Sequence, residues 1–547
     1  MSLHAPAAPP DAARPSAPFV TAPPPVHDAW TAEDGDPHKY LIAFAVVVAA
    51  LMQVIDSSIV NVALPDMMGN LGASLDEIAW VTTGYILASV IVIPLTGWLG
   101  AFFGRKRYFV GSIALFTLAS LFCGEAHSLG ALIFWRIVQG VGGGALMVVS
   151  QAVLLEAFPK RQAGTAMALF GLGVMVGPTI GPTLGGWLTD NYGWPWIFFI
   201  NLPVGALAAF LIARYVHDPA GLKRPPSVDA LGIGLLAVSV GSLQYLLEHG
   251  QREDWFDSRL ITTLAVVGVV GGVLLVIREL TTRYPVIDFR VLRHRTVWVG
   301  TLLGIVMGVG LYASVFTLPV FLQGMLHMTA QQTGIVMLPG ALATAVSMAV
   351  AGRLTERMDA RVLVGVGAGL FALAMIQLSR ITAQSGAGDF FWPLLFRGFG
   401  LGLMFVPLTT ITLGALSPAE LPQGAGLYNF FRQLGGSFGI AGIATLLTRY
   451  TAQFKAILAE HLVVTSPATL GRLHQLTQAM VARGADAATA QRRAYMLLDG
   501  TLGVQASVIA YGRIYVLSAV IIVALIPLLG LVGRASGGGD AAHLAME

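Results

Sequence analysis

Long apolar runs separated by short polar breaks dominate the chain from about residue 40 to residue 533. The hydrocarbon core of a bilayer is about 30 Å thick, so a helix needs roughly 20 apolar residues to cross it. About fourteen runs have this length, and the pattern predicts an all-α membrane protein with fourteen transmembrane helices. The runs cover residues 40–65, 78–100, 108–125, 129–155, 163–188, 196–216, 228–247, 259–278, 296–322, 332–352, 361–381, 390–414, 422–447 and 512–533.

Composition agrees with this pattern and excludes several classes of protein. Of the 547 residues, 55% are hydrophobic and 11% are charged, whereas a soluble domain has about 25% charged residues. The single cysteine, Cys123 in the third run, is interpreted as a small apolar filler, so neither a disulfide framework nor a thiolate metal site is expected. The sequence has no Walker, H-E-x-x-H or G-x-S-x-G motif. We therefore expect no enzyme and no metal or cofactor, and active transport would need an ion gradient or a separate ATPase.

The distribution of basic residues predicts the orientation of the chain in the lipid bilayer. If the N-terminus is cytoplasmic, most of these residues fall in short inner loops, as in the cluster Arg105, Lys106 and Arg107, while few fall in short outer loops. This positive-inside bias predicts that both termini are cytoplasmic. Because the charges flank the spans and orient them, nucleic acid is not an expected partner.

Weak internal similarity predicts two halves. "VALP" at 62–65 resembles "FTLP" at 316–319, and "GWLGAFFGRK" at 97–106 resembles "GRLTERMDAR" at 352–361. Transporters are often built from such repeats, and the seventh and eighth runs have no counterpart. The predicted domains are a disordered cytoplasmic tail at 1–38, an N-terminal six-helix bundle at 39–217, two inserted transmembrane helices at 218–282, a C-terminal six-helix bundle at 283–534 with a long outer loop at about 448–511, and a cytoplasmic tail at 535–547.

An aspartate interrupts the first run. Gln53, Asp56, Ser57 and Asn61 recur at spacings of three and four residues, which predicts a shared polar face on an otherwise apolar helix. A charged side chain at the bilayer centre costs about 2.5–3.5 kcal/mol even on the most permissive scale. We therefore expect this face to point into the bundle or into a wet cavity, with Asp56 retained by a partner or by a function.

Depth below the outer helix ends suggests Arg136 as the partner of Asp56. Asp56 lies about 14 Å and Arg136 about 10 Å below these ends, although backbone carbonyls and Gln139 are alternative partners for the arginine. Burial favours a neutral carboxylic acid and a neighbouring arginine favours the ion, so changing water access would let the site bind and release a proton. The residues predicted to support the pair are Gln53, Asn61, Gln139, Arg397 and Arg432.

The repeat helps to choose between two roles for this pair. It places Gly310 opposite Asp56 and Arg397 opposite Arg136, so one half is built without the acid. A static pair that fixes helix register would be needed equally in both halves. Intramembrane acids that folding does not require are commonly proton or cation sites, which favours a role for Asp56 and Arg136 in proton coupling.

Two further motifs predict close packing and movement. In "GVMVGPTIGPTLGG" at 173–186, glycine recurs every four residues and forms a smooth strip, while two prolines bend the helix. Packing alone explains such a strip, but at an interface between halves it would also permit sliding. "GRKR" at 104–107 is a topology signal and a candidate charged latch. The predicted conformational residues are Gly97, Gly104, Arg105, Gly173, Gly177, Pro178, Gly181, Pro182 and Gly185.

These motifs resemble those of the major facilitator superfamily, specifically the fourteen-span drug:proton antiporters with EmrB-like subunits. The resemblance is carried by "MQVIDSSIVNVALP", "GWLGAFFGRKR", "RIVQGVGGG", "GPTIGPTLGGWLTDNYGWPWIFFINLPVG", "FVPLTTITLGAL" and "NFFRQLGGSFG". It implies the major facilitator fold and proton-coupled export of hydrophobic, often cationic, toxic compounds across a bacterial inner membrane. It also implies an EmrA-like periplasmic adaptor and a TolC-like outer-membrane channel as partners.

The sequence departs from that family in two places. Ala101 replaces the usual acid of the loop motif, while Glu356 occupies the equivalent place in the second copy. The tenth run has no acid to neutralise a dication, which favours monovalent or neutral amphiphiles as cargo. A dedicated exporter of one metabolite or siderophore is an alternative, whereas a scaffold or sensor would not need Asp56. The candidate cavity residues are Tyr312, Phe316, Met404 and Phe431.

Overall fold

The computed structural model describes residues 35–218, 228–417, 420–462 and 466–531. Regular structure within these ranges is helical throughout. Most of the predicted N-terminal tail, the predicted C-terminal tail and residues 219–227 of the inserted segment lie outside the described residues. Residues 35–38, predicted to belong to the disordered tail, instead pack on the first half, because the Asp36 amide donates to the Ala157 carbonyl at 2.9 Å.

Seventeen α-helices make up the described parts of the chain. They are α1 (Lys39–Leu71), α2 (Leu75–Phe103), α3 (Arg105–Gly124), α4 (Leu129–Ala157), α5 (Ala163–Tyr192), α6 (Trp196–Phe199), α7 (Asn201–Tyr215), α8 (Ala230–His249), α9 (Arg259–Thr281), α10 (Arg295–Gly324), α11 (Ala330–Thr355), α12 (Ala360–Leu378), α13 (Phe391–Gly414), α14 (Leu421–Glu460), α15 (Pro467–Val481), α16 (Ala487–Val523) and α17 (Leu525–Leu529).

The helices account for the predicted membrane spans. Among the described residues, 12 helices are long and apolar enough to cross a membrane, and the pair Lys160–Pro178 and Ile180–Tyr192, bent by 42°, makes a thirteenth. The remaining predicted run, 422–447, lies in α14, which is 40 residues long but carries several polar side chains. The prediction of an all-α, multi-pass membrane protein is confirmed.

Glycines in α4 hold the first bundle together. This bundle comprises α1 to α7, and α4 packs against α1, α2 and α3. A β-carbon on Gly140 would lie 2.5 Å from the Tyr85 carbonyl oxygen of α2, and one on Gly142 would lie 2.8 Å from the Ser112 carbonyl oxygen of α3. The backbones therefore approach at a distance that only glycine allows.

The second bundle comprises α10 to α14 with α16, in which α13 packs against α11 and α12 while α14 packs against α10 and α16. Helices α8 and α9 pair with each other, and α8 also contacts α2 and α14. Asp229 fastens this pair, because its carboxylate accepts from the Gly232 amide at 3.0 Å and from Arg278 Nε at 3.1 Å. The inserted helices thus form a unit that lies against both bundles.

The two bundles meet mainly through α5 with α11 and α2 with α14. Several contacts lie at the end of the molecule that carries Arg105 and Arg353, here named the basic face. A β-carbon on Gly352 would lie 2.8 Å from the Gly164 carbonyl oxygen of the other half, and Asn429 Nδ2 donates to Gln151 Oε1 at 2.6 Å. The halves are therefore closed against each other at the basic face.

The segment at 448–511, predicted to be a long outer loop, is mostly helical in its described residues. Its described residues continue α14, form α15 and begin α16. Helix α14 is 40 residues long, or roughly 60 Å at 1.5 Å per residue, so it extends well beyond a hydrocarbon core of about 30 Å. Lys455 of α14 and Asp499 of α16 form an ion pair at 2.8 Å that ties the extended helices together.

Candidate functional site around Asp56

Asp56 lies near the middle of α1 and is fully buried. Its Oδ2 atom accepts from Arg136 Nη1 at 2.7 Å. Its Oδ1 atom accepts from Gln139 Nε2 at 2.9 Å and from Asn201 Nδ2 at 3.1 Å. Three donors from α4 and α7 therefore surround a carboxylate from α1, which is the arrangement that a buried ion needs in order to remain charged.

Arg136 is also fully buried, and it makes all of the contacts that the sequence left as alternatives. Besides Asp56, it donates through Nη1 to Gln139 Oε1 at 2.6 Å and through Nε to the Val81 carbonyl at 3.0 Å. Its guanidinium carbon lies 4.3 Å from the centre of the Tyr85 ring, within cation–π range. These contacts remain available to the arginine if Asp56 becomes neutral.

Sequence reasoning missed Asn201. It lies at the first position of α7 and bridges Asp56 to Ser120, whose hydroxyl accepts from Asn201 Nδ2 at 3.0 Å. Ser120 Oγ in turn donates to the Phe198 carbonyl at 2.9 Å, at the end of the short helix α6. The available signal was one asparagine within the apolar stretch "WIFFINLPVG", since a polar side chain at membrane depth is expected to have a partner.

The four polar residues of α1 spread over a wide arc of the helix, and only part of this arc faces the Asp56 site. Successive residues turn by about 100°, so Gln53 lies about 60° from Asp56, but Asn61 lies about 140° away. Gln53 Oε1 accepts from the Met147 amide at 3.2 Å, and Asn61 is exposed with a weak contact to Thr82 at 3.4 Å. Neither residue contacts Asp56.

Arg397 and Arg432 were predicted to support the Asp56 pair, but both belong to the second half and lie away from it. Arg397 Nη1 donates to the Ser314 carbonyl at 3.4 Å. Arg432 Nη2 donates to Asn429 Oδ1 at 3.0 Å. Of the five predicted supporting residues, Gln139 contacts Asp56 directly.

The glycine strip of α5 packs against α1, which corrects the expectation that it lies between the halves. A β-carbon would lie 2.6 Å from Val54 Cγ1 if placed on Gly177, and 2.6 Å from Ile59 Cγ1 if placed on Gly185. Gly173 and Gly181 face the same helix, and Pro178 and Pro182 lie at the 42° bend. The strip therefore brings α5 against the two helical turns that carry Asp56.

The loop motif forms contacts of two kinds at the basic face. Arg105 is buried and pairs with Glu156 of the same half, while Gly104 adopts a positive φ of 88°. Gly97 contacts the other half, because a β-carbon there would lie 2.8 Å from Gln423 Cα. Asp218, which sequence reasoning did not single out, accepts from the Lys106 amide at 2.7 Å and supplies an acid at the N-terminus of α3.

The acid of the second motif copy connects the two halves. Glu356 Oε1 accepts from the Thr165 amide at 3.3 Å and from the Thr165 hydroxyl at 2.6 Å. The N-cap residue of α5, Gln162, makes no side-chain capping bond, so an acid from the second half caps a helix of the first. This interaction joins the two halves at the basic face.

Replacing Glu356 with alanine is expected to loosen the basic face. Loss of a capping bond costs about 0.5–2 kcal/mol, which corresponds to roughly a 2- to 30-fold shift toward the open face. The measurement is the rate at which a cysteine introduced at Gln423 reacts with a maleimide, since the native Cys123 is buried. Glu460→Ala, at the exposed end of α14, is the matched control. Equal labelling rates in Glu356→Ala and Glu460→Ala would show that Glu356 does not hold the basic face closed.

The candidate cavity residues lie in different environments. Tyr312 donates to Gln433 Oε1 at 2.8 Å, Phe316 is exposed, and Phe431 is half-buried. Met404 is fully buried in the second bundle, where a β-carbon on Gly367 of α12 would lie 2.8 Å from its Cγ atom. The prediction is therefore wrong for Met404, because its side chain fills the bundle core.

Comparison with known proteins agrees with this architecture. The profile described as Major Facilitator Superfamily matches residues 46–440. The Escherichia coli multidrug export protein EmrB is 34% identical over 508 residues, covering 92% of this chain and 98% of that protein. The Neisseria gonorrhoeae fatty acid resistance protein FarB is 32% identical over 502 residues, covering 91% and 97%.

Solved structures share the fold. The human organic anion transporter MFSD10 aligns with a TM-score of 0.56 at 14% identity, covering 89% of this chain and 100% of that one. The proton:xylose symporter XylE aligns with a TM-score of 0.56 at 13% identity, covering 90% and 98%. Because the family profile matches most of the chain and relatives above 30% identity span nearly all of it, the protein belongs to the major facilitator superfamily.

Proposed function

We propose that this protein is an inner-membrane antiporter that takes up protons and exports several hydrophobic or amphipathic compounds. A transporter is the expected activity of a major facilitator. Export of more than one compound is supported by the name of the Escherichia coli relative, a multidrug export protein that is 34% identical over 92% of this chain. Proton coupling is supported by the site around Asp56.

The observation that carries the proposal is the fully buried, charged network of Asp56, Arg136, Gln139 and Asn201. A charge at the bilayer centre is costly, and the second half has Gly310 at the equivalent position, packed against Ile522. The fold therefore does not need an acid at this depth. Its retention in the first half is explained if the carboxylate binds the coupling proton.

Proton binding would change the contacts of α1 while leaving Arg136 several of its partners. A neutral Asp56 loses its ionic bond to Arg136, whereas the arginine retains Gln139, the Val81 carbonyl and the Tyr85 ring. The protonated acid gains an O–H group, which can donate a hydrogen bond to the amide oxygen of Gln139 or Asn201. Protonation thus removes the counter-ion of Arg136 but leaves its contacts with Gln139, the Val81 carbonyl and the Tyr85 ring in place.

The same helix provides a route from the proton site to the interface between the halves. One side of α1 holds Asp56 against α4 and α7, and another side packs on the glycine strip of α5. Helix α5 in turn contacts α11 of the second half. A movement of α1 on protonation would shift α5. It would thereby change the equilibrium between the closed and the open basic face.

The proposal includes a cellular arrangement. The bias of basic residues supports a cytoplasmic basic face with both termini on that side. The extension formed by the ends of α14 and α16 with α15 would then project into the periplasm. The similarity to EmrB supports an adaptor and an outer-membrane channel as partners, and the extension is the part of the chain that would reach them.

The direct test uses the purified protein in liposomes with an imposed pH gradient and a panel of lipophilic compounds. Net movement of several compounds across the liposome membrane is expected, accompanied by proton movement in the opposite direction. Both movements are expected to stop when the pH gradient is collapsed. Movement of a single compound would indicate the dedicated exporter. No gradient-dependent movement of any compound would contradict the proposed function.

A further inference from the structure

A second acid lies inside a membrane span without a basic partner. Glu248 belongs to the last turn of α8, one of the two inserted helices. Its Oε1 atom accepts from the Thr83 hydroxyl of α2 at 2.9 Å. Its Oε2 atom is buried and has no hydrogen-bond partner. Among the described residues, no basic side chain forms an ion pair with Glu248.

The surroundings of Glu248 suit a neutral acid better than a carboxylate. Asp56, by contrast, has a guanidinium and two amide groups as donors. Glu279 is the other described acid with a buried, unpartnered oxygen, but it accepts from the Ile287 amide at 3.2 Å and directly follows Arg278 in the chain. Burying an ion without such partners is costly, and the group becomes neutral instead. The structure therefore favours a proton on Glu248.

An acceptor for that proton lies one turn earlier on the same helix. Gln244 precedes Glu248 by four residues, which places both side chains on one face of α8. Gln244 is 4% exposed, and its Oε1 atom has no donor among the described residues. A protonated carboxyl group has one O–H to donate. A single proton would therefore satisfy two buried oxygen atoms that the described side chains leave without a donor.

The other titratable groups around this contact do not supply the missing donor. Asp76 of α2 pairs with Arg252 of the following loop, and both are exposed. The rings of Tyr245 and His249 on α8 stack on each other at 4.3 Å. Residues 260–277 of α9 and 433–448 of α14, which include positions packed against α8, have no titratable side chain. The remaining titratable residues at this end of the inserted pair are exposed, namely Glu77, Glu253, Asp254, Asp257 and Arg259.

Helix α2 lies between Glu248 and the network around Asp56. Arg136 contacts the Val81 carbonyl and the Tyr85 ring of α2, and Thr83 lies midway between these two positions along the helix. Successive residues turn by about 100°, so Thr83 faces roughly the opposite side of α2 from Val81 and Tyr85. The two acids therefore lie at a similar depth, and each is in contact with a partner on its own side of α2.

We propose that Glu248 is a second proton-binding site, in which the neutral acid donates to Gln244 Oε1 and accepts from Thr83, joining the inserted helices to α2. Ionisation would place a carboxylate without a counter-ion in this contact and thereby weaken the attachment of α8 to α2. The inference goes beyond the proposed export function, because the site can hold its proton whether or not the protein moves a cargo.

The test is infrared spectroscopy of the purified full-length protein at neutral pH, in a detergent without ester groups. A protonated carboxylic acid has a C=O stretching band separate from those of carboxylates and amides. Glu248→Gln is expected to remove the band of one acid group from the spectrum of the unmodified protein. Glu253→Gln, in the exposed loop after α8, is the matched control and is expected to leave this band unchanged. An unchanged acid band in Glu248→Gln would overturn the inference.

A second variant and a stability measurement complete the test. Glu248→Asp keeps an acid on a shorter side chain and is expected to move the band to another frequency, so a spectrum identical to that of the unmodified protein would also overturn the inference. As the pH rises from neutral to alkaline, the unfolding temperature of the unmodified protein is expected to fall more steeply than that of Glu248→Gln. The reason is that the stabilising proton is lost on ionisation, whereas glutamine does not titrate. Equal pH dependence in Glu248→Gln and Glu253→Gln would contradict the proposed weakening of the contact.

Discussion

Replacing Asp56 with asparagine is expected to abolish proton-driven export, reducing transport to the level of empty liposomes. Asparagine has nearly the same shape and can still accept from Arg136, but it has no carboxylate to take up a proton. Transport is measured in liposomes over a range of external pH. Export by Asp56→Asn with an unchanged pH dependence would refute the coupling role of this residue.

Stability is the control that this experiment requires. Removing one partner of a buried ion pair costs about 3–5 kcal/mol, although Gln139, the Val81 carbonyl and Tyr85 still contact Arg136. The double variant Asp56→Asn with Arg136→Gln removes both charges and is expected to unfold at a higher temperature than the single variant, yet to remain inactive. Recovery of proton-driven export in the double variant would show that the acid only balances the arginine.

Replacing Gly352 with valine is expected to prevent closure of the basic face. A β-carbon at Gly352 would lie 2.8 Å from the Gly164 carbonyl oxygen and 2.7 Å from Ala168 Cβ, both in α5 of the other half. Overpacking of this kind costs about 1–3 kcal/mol, a shift of roughly 5- to 150-fold toward the open face. Because an antiporter must pass through both states, export is expected to fall at least roughly tenfold.

The opening can be measured separately from transport. A cysteine introduced at Gln423, which contacts Gly97 across the halves, is expected to react faster with a maleimide in Gly352→Val than in the unmodified background. Gly369→Val is the matched control, since Gly369 faces open space on α12. An unaltered labelling rate together with unaltered export would show that the contact between Gly164 and Gly352 is dispensable.

The Asp56 site was partly predictable because bilayer physics restricts what a buried charge can do. An aspartate at membrane depth needs a cation, and depth along the helices indicated Arg136, which the structure places at 2.7 Å. Asn201 was not predicted, because it lies 145 residues away in the chain and its distance to Asp56 depends on how α6 and α7 bend. Its polarity was visible in the sequence, but its partner was not.

The glycine strip of α5 was likewise predictable only in part. Its four-residue spacing predicted a close helix contact, which the structure contains, but a spacing identifies only the face of one helix and not the neighbour that packs on it. The neighbour is α1, within the same half. The assignment of Met404 to the cavity was wrong for the same reason, since an apolar residue is equally compatible with a core and with a cavity wall.

The sequence by itself determined the class of the protein, because crossing a bilayer requires apolar runs of fixed length and restricts where charges can lie. It also determined that Asp56 needed a partner. Only the tertiary structure decided the identities of the groups around that acid, the connection of Glu356 to the other half and the placement of Arg397 and Arg432 away from Asp56. These features depend on distances between helices far apart in the chain, which packing between side chains sets and local patterns do not record.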